Sequence, residues 1–206
     1  MVFSSVTFLF FFLPLVLGLY FLAGKRGRNI LLLAVSLLFY CWGEGAYLLI
    51  MIFSIMVNYL CGRFILINPE KPSRTFVALG IIFNLTVLIF FKYANFLTDN
   101  LNILLNIFSL PPVVLTPVHL PIGISFFTFQ ALSYIIDVYR REVPAQKSLV
   151  NLGLYISLFP QLIAGPIVRY QTVVKELTCR AFSRVDFANG IERFVFGLSK
   201  KVLLAN

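Results

Sequence analysis

The chain has 206 residues, of which 60% are hydrophobic and only 12% charged, with a mean hydropathy of +0.93. Soluble domains carry about 25% charged residues, so a chain this apolar cannot cover its own surface with polar groups and its solvent must be largely lipid. Its net charge of +9 gathers between the apolar runs, where it sets topology, and forms no interleaved aromatic and basic surface of the kind that binds nucleic acid.

The runs are continuously apolar rather than alternating, which suits helices and excludes a β-barrel. The fold class this predicts is an all-α polytopic membrane protein, with about six transmembrane helices plus re-entrant or interfacial helices. Cys41, Cys61 and Cys179 are odd in number and form no CxxC pair, so neither a disulfide framework nor a zinc site is indicated.

Val2 to Leu22 is the first apolar run. Its charges, Lys25, Arg26 and Arg28, follow it instead of preceding it. That order argues against a cleaved signal and for a retained span with the N-terminus outside the cytoplasm. Pro14 is expected to kink it. Asn29 to Trp42 is a second run, closed by the turn signal Gly43-Glu44-Gly45. Ala46 to Ile67 is a third, with Asn58 inside and Arg63 able to snorkel. The loop Asn68 to Arg74, like Lys25 to Arg28, is assigned to the cytoplasm by its charges.

Thr75 to Phe91 is a fourth run, containing Asn84. Phe96 to Leu110 is interrupted by Asp99, Asn100, Asn102 and Asn106 and is too short to cross upright, so it reads as re-entrant or interfacial. Pro111 to Pro121 reads as a rigid outer loop carrying the only histidine, His119. Ile122 to Tyr139 and Leu149 to Ala164 are the fifth and sixth runs. Gly165 to Asp186 is polar and basic, a loop or short surface helix. Phe187 to Asn206 has an amphipathic helical pattern with no breaker at its end.

The stretch Leu120 to Tyr170 carries the polar residues that a plain anchor would not need. In a helix, Phe126, Gln130, Tyr134, Asp137 and Arg141 fall on one face, with Ser133 beside them. A buried acid near a membrane span is costly, so this stripe faces protein or water. Two readings stand: a helix-end salt bridge of Asp137 with Arg140 or Arg141 plus interhelical hydrogen bonds, or a functional wall. Ser157 and Gln161 share a face of the next run, where Pro160 is expected to bend the helix and Gly165-Pro166 to end it. Freed carbonyls there need protein or water, which puts Phe159 to Arg169 at a cavity or a packed loop. His119 has no carboxylate near it in sequence and reads as a loop or interface residue. No nucleophile elbow, P-loop or dinucleotide fingerprint is present.

At LPIGISFFTFQALSYIIDVYRRE and LFPQLIAGPIVRY the chain resembles the membrane-bound O-acyltransferase family, in its bacterial branch that acetylates alginate and related polysaccharides. MVFSSVTFLFFFLPLVLGLY and LLLAVSLLFYCWGE also resemble that branch, so residues 1–206 correspond to the N-terminal part of one such domain. The resemblance implies an inner-membrane enzyme with a central tunnel. It moves an acyl group from a cytoplasmic donor such as acetyl-coenzyme A or an acyl-carrier protein, a substrate and not a bound cofactor, toward an exported polysaccharide. Periplasmic acetylation proteins are implied as partners. By the same resemblance Gln130, Asp137, Gln161, Gly165, Pro166 and Arg169 line the chamber, and Tyr134, on the same helical face as Gln130 and Asp137, is a further lining candidate. The family's catalytic histidine is expected beyond Asn206, so the chain alone is expected to be inactive. A non-catalytic scaffold and a small transporter are the alternative readings.

Overall fold

The computed structural model describes residues 5–24, 27–67, 72–164, 168–180 and 182–204. Among these the regular elements are all helical. The first helix, α1 (Leu13–Leu22), is preceded by a π-helical turn over Phe8–Phe12. Pro14 has no N–H to give to the carbonyl one turn back. The irregularity expected there takes the form of a widened turn, in which Leu13 N–H reaches the Phe8 carbonyl. Helix α2 (Arg28–Glu44) ends at Gly45, whose φ of 56° only glycine adopts readily. A short 3₁₀ turn, Gly45–Tyr47, then leads into α3 (Leu48–Ile65).

Helix α4 (Arg74–Ile107) corrects the reading of Phe96 to Leu110 as a separate re-entrant or interfacial piece. It is one helix of 34 residues, about 51 Å long at 1.5 Å per residue, which outruns about 30 Å of hydrocarbon. The polar residues that looked like an interruption are compatible with the helix and tie the following loop to it. Asn102 donates to the Val113 carbonyl at 3.0 Å and accepts from Val113 N–H at 2.7 Å. Asn95 brackets Val118 the same way, at 2.9 Å in both directions. Pro111 to Pro121 is thereby pinned along the end of α4.

Helix α5 (Ile124–Tyr139) starts after Gly123, at φ 76°. A Cβ there would stand 2.8 Å from the Leu162 carbonyl oxygen, so the close approach also requires glycine. Helix α6 (Leu149–Ser157) is capped by Ser148, whose hydroxyl accepts from Asn151 N–H. The sixth apolar run is not one bent helix. The chain leaves the helix at Leu158 (ψ 113°), and α7 (Phe159–Ala164) begins anew. Pro160 thus sits in the first turn of α7, where a missing N–H costs nothing, instead of bending a continuous helix. The Phe159 N–H at the break reaches Ser36 Oγ at 3.4 Å. Helix α8 (Tyr170–Thr178) and helix α9 (Arg184–Leu204) follow.

By length and apolar composition, two stretches qualify as membrane spans: Arg28–Ile65, which contains α2 and α3, and Arg74–Ile107. Phe8–Leu22, Ile124–Tyr139 and Leu149–Leu162 are shorter apolar helical stretches.

The core centres on α3, α4 and α5, with α6 lying between α2 and α3. Small residues let these helices approach, as they do in membranes. Gly62 faces Tyr134, Gly80 faces Ile135, and Gly153 faces Leu33 and Ile55. Between α3 and α4, Asn58 and Asn84 exchange amide hydrogen bonds at 2.7 and 3.2 Å, both side chains being buried. A smaller aromatic cluster of Phe8, Phe12, Phe39 and Phe159 joins the N-terminal turn to α2 and α7. Helix α9 has no buried residue, and the aromatic contact between it and α1 is Phe187 on Phe21.

Candidate functional site

The 3.6-residue period brings Gln130, Tyr134 and Asp137 onto the inward face of α5, and all three are buried. Opposite them stand α6, α7 and the start of α8. Gln130 Nε2 donates to Gln161 Oε1 at 3.3 Å, joining α5 to α7. Tyr155 of α6 is the hub of the region. Its hydroxyl donates to the Val168 carbonyl at 2.8 Å and lies 3.2 Å from Ser133 Oγ and 3.4 Å from the Gln130 carbonyl.

Below this hub, Tyr134, Tyr155 and Tyr170 pack edge to face, with Tyr170 5.0 Å from one ring and 5.1 Å from the other. Gln146, in the loop between α5 and α6, joins two of the phenols. Its N–H donates to the Tyr134 hydroxyl at 3.0 Å and its side-chain amide donates to the Tyr170 hydroxyl at 2.6 Å. Burial pushes the Tyr170 phenol upward in pKa, and the Gln146 hydrogen bond opposes it in part. The Tyr170 hydroxyl therefore stays protonated near neutral pH.

Two buried acceptors in this wall have no hydrogen-bond partner among the described residues: Gln130 Oε1 and Asp137 Oδ2. Leaving such groups unmet costs about 1–3 kcal/mol each, and native structures rarely do so without a reason. Among the described residues nothing donates to these two oxygens, which leaves the face open to a hydrogen-bond donor from outside them.

Of the residues expected at the site, Gln130, Tyr134, Asp137 and Gln161 come together. Arg169 is exposed at the start of α8 and forms no ion pair with Asp137 among the described residues. Of the two helix-end partners expected for Asp137, Arg140 or Arg141, Arg140 instead lies 3.8 Å from Glu142. Gly165 and Pro166 lie outside the described residues. Ser157 does not join Gln161. The break at Leu158 separates them, and its hydroxyl bonds back to the Gly153 carbonyl at 2.7 Å. His119 is far from this wall in the contacts it makes. It meets a carboxylate after all, with Nε2 3.4 Å from Glu44 Oε2, and packs against the Tyr47 ring. Sequence reasoning missed Tyr155, Gln146 and Tyr170. Tyr155 lies off the helical phase of Ser157 and Gln161, and Gln146 is in a loop where periodicity carries no signal.

No family model matches the chain, and no solved structure does either. Among curated proteins it is 44% identical over 208 residues to a probable alginate O-acetylase of Pseudomonas aeruginosa, an alignment covering 100% of this chain and 40% of that protein. A protein of the same name from Pseudomonas putida is 43% identical, again across 100% of this chain and 43% of the relative. A peptidoglycan O-acetyltransferase of Helicobacter pylori is 29% identical over 240 residues, covering 45% of its length. The chain spans less than half the length of the curated relatives it matches. Along its entire length, the chain is a homologue of the proteins named alginate O-acetylase.

Proposed function

We propose that residues 1–206 form the framework and one wall of the reaction chamber of a membrane O-acyltransferase that acetylates an exported polysaccharide such as alginate. The observation that carries this reading is the coincidence of two facts. The chain is 44% identical throughout to a probable alginate O-acetylase, and its buried α5 face presents Gln130 and Asp137 oxygens without partners among the described residues. A sugar hydroxyl or a donor's amide is the kind of group these acceptors would receive.

In this reading about six crossings are made. The shorter helices α1, α5 and α6–α7 add to the long stretches Arg28–Ile65 and Arg74–Ile107, with the N-terminus on the periplasmic side of the inner membrane. Acetyl-coenzyme A or an acyl-carrier protein is the donor, and periplasmic acetylation proteins complete transfer to the polymer. The reacting histidine is supplied from outside residues 1–206. His119 is no substitute for it, lying 3.4 Å from Glu44 Oε2 and outside the hydrogen-bond network of the wall. The test is acetyl transfer from labelled donor to alginate oligomers in proteoliposomes, comparing the full-length protein with residues 1–206 alone. Transfer by the full-length protein only is expected. Transfer by residues 1–206, abolished by His119→Ala, would overturn the assignment. Absence of transfer by both, with every donor and acceptor tried, would favour a scaffold.

A further inference from the structure

Two cavities adjoin at the end of the molecule where α2 and α6 begin. The first, of about 760 Å³, is lined by Arg28, Asn29, Ser148, Asn151 and Arg180, among others. The second, of about 430 Å³, is bordered by apolar side chains of α1, α6 and α7 and reaches Gln161. Leu177 and Arg180 line both, so the two spaces meet at the C-terminal end of α8.

The charge in the first cavity is unbalanced. The Arg28 and Arg180 guanidinium carbons lie 4.9 and 5.9 Å from the centroid of one ring, that of Tyr20. Stacking of this kind holds a guanidinium in place while leaving its edge donors free. Arg28 Nε donates to the Ala23 carbonyl and Arg180 Nε to the Glu176 carbonyl, which leaves the terminal nitrogens of each fork. Neither arginine has a carboxylate within the 4.0 Å of an ion pair among the described residues. Glu176 borders the apolar cavity without pairing with Arg180 at that distance. Two like charges drawn to one ring repel each other unless an anion lies between them.

Backbone polarity has the same sign. The α2 N-terminus opens here with no side-chain cap and no acidic residue in its first turn, and the α6 N-terminus lies beside it. Both present the positive end of a helix. The opposing C-terminal carbonyls of α8 are already engaged: Leu177 O accepts from Asn29 Nδ2 at 2.7 Å, and Lys175 O from Cys179 N–H at 2.8 Å.

We propose that this pair of cavities binds an amphiphile through a phosphate group. Arg28 and Arg180 clamp the phosphate oxygens, and the attached chain lies in the apolar cavity toward Gln161. Arginine forks match phosphate geometry, and a phosphate carrying an extended chain satisfies both spaces at once. The phosphate could belong to a membrane phospholipid or to a soluble thioester donor of the coenzyme A kind. The coenzyme A source rests on the donor proposed above, whereas the phospholipid source stands apart from acetyl transfer, because a lipid phosphate would be held whatever chemistry the chamber performs.

The test is a binding experiment on the full-length protein. One arm titrates acetyl-coenzyme A into protein held in phosphatidylcholine nanodiscs. The other uses nanodiscs containing phosphatidylglycerol and reads retained lipid by native mass spectrometry. At least one probe is expected to bind, to lose affinity about tenfold or more in R28Q/R180Q, and to recover partly in R28K/R180K, where charge is kept but the fork is lost. Which arm responds identifies the source of the phosphate. A second readout needs no substitution. Cys179 lines the first cavity and is exposed, while Cys41 is exposed elsewhere. The bound probe should slow maleimide labelling of Cys179 severalfold and leave Cys41 unchanged. Labelling of Cys179 unaffected by either probe, or equal binding by wild type and a folded R28Q/R180Q variant, would refute the proposal.

Discussion

Asn84→Leu probes the buried contact that holds α3 to α4. Asn84 Nδ2 donates to Asn58 Oδ1 at 2.7 Å and to the Gly80 carbonyl at 2.7 Å, and Asn84 Oδ1 accepts from Asn58 at 3.2 Å. Leucine matches asparagine in side-chain heavy-atom count and in branching at Cγ, so no large cavity opens. The Gly80 carbonyl keeps its helical partner. Asn58 Nδ2 keeps the Ser54 carbonyl at 2.8 Å, but Asn58 Oδ1 loses its donor at a position with 0% exposure. The lost interhelical pair is worth roughly 0.6–2 kcal/mol, and the orphaned oxygen adds about 1–3 kcal/mol. The single variant should therefore lose about 2–5 kcal/mol. Asn58→Leu should cost a similar amount. The double variant orphans no side-chain amide and should fall well short of the sum, with a coupling of about 1–2 kcal/mol. Reversible unfolding in mixed micelles, followed by circular dichroism, measures all four corners of the cycle. Additive losses, with coupling under about 0.3 kcal/mol, would refute the claim that the two amides act as one contact.

Gly62→Ala should destabilise the bundle by about 1–3 kcal/mol, because the new Cβ would stand 2.6 Å from Tyr134 Cε1. Gly18→Ala, with nothing within 4 Å, should be neutral in the same assay. Tyr155→Phe keeps the ring but removes the donor to Val168 O. It should cost about 1 kcal/mol of stability while lowering acetyl transfer by the full-length protein more than stability alone accounts for, as read by transfer rates at a temperature well below unfolding. His119→Ala should leave transfer within about twofold, since neither it nor Glu44, at the C-terminal end of α2, takes part in the hydrogen bonds of the α5 wall.

The helices were legible wherever hydropathy was continuous: α2, α3 and α5 begin and end within a few residues of their apolar runs. Reading failed where polar residues had partners far along the chain. Asn102 looked like an interruption of α4 because its partner, Val113, lies in the loop that folds back on the helix. Pro160 was a sound signal of irregularity, but the break falls at Leu158, because the proline can start a helix as readily as it bends one. Helical phase found Gln130, Tyr134 and Asp137 because they share one helix. It had no means of finding Tyr155 or Tyr170, whose meeting depends on how α6 and α8 pack. The pairing of His119 with Glu44 was invisible for the same reason.

The chamber assignment is tested most directly by acetyl transfer in proteoliposomes of the full-length protein carrying Gln130→Leu or Asp137→Asn. Gln130 Oε1 and Asp137 Oδ2 are the two buried acceptors of α5 without partners among the described residues. If they receive donors from substrate, each variant should lower transfer at least tenfold, the equivalent of about 1.4 kcal/mol in the barrier, while melting within a few degrees of wild type. Transfer at the wild-type rate in both folded variants would contradict a role for this face in the reaction.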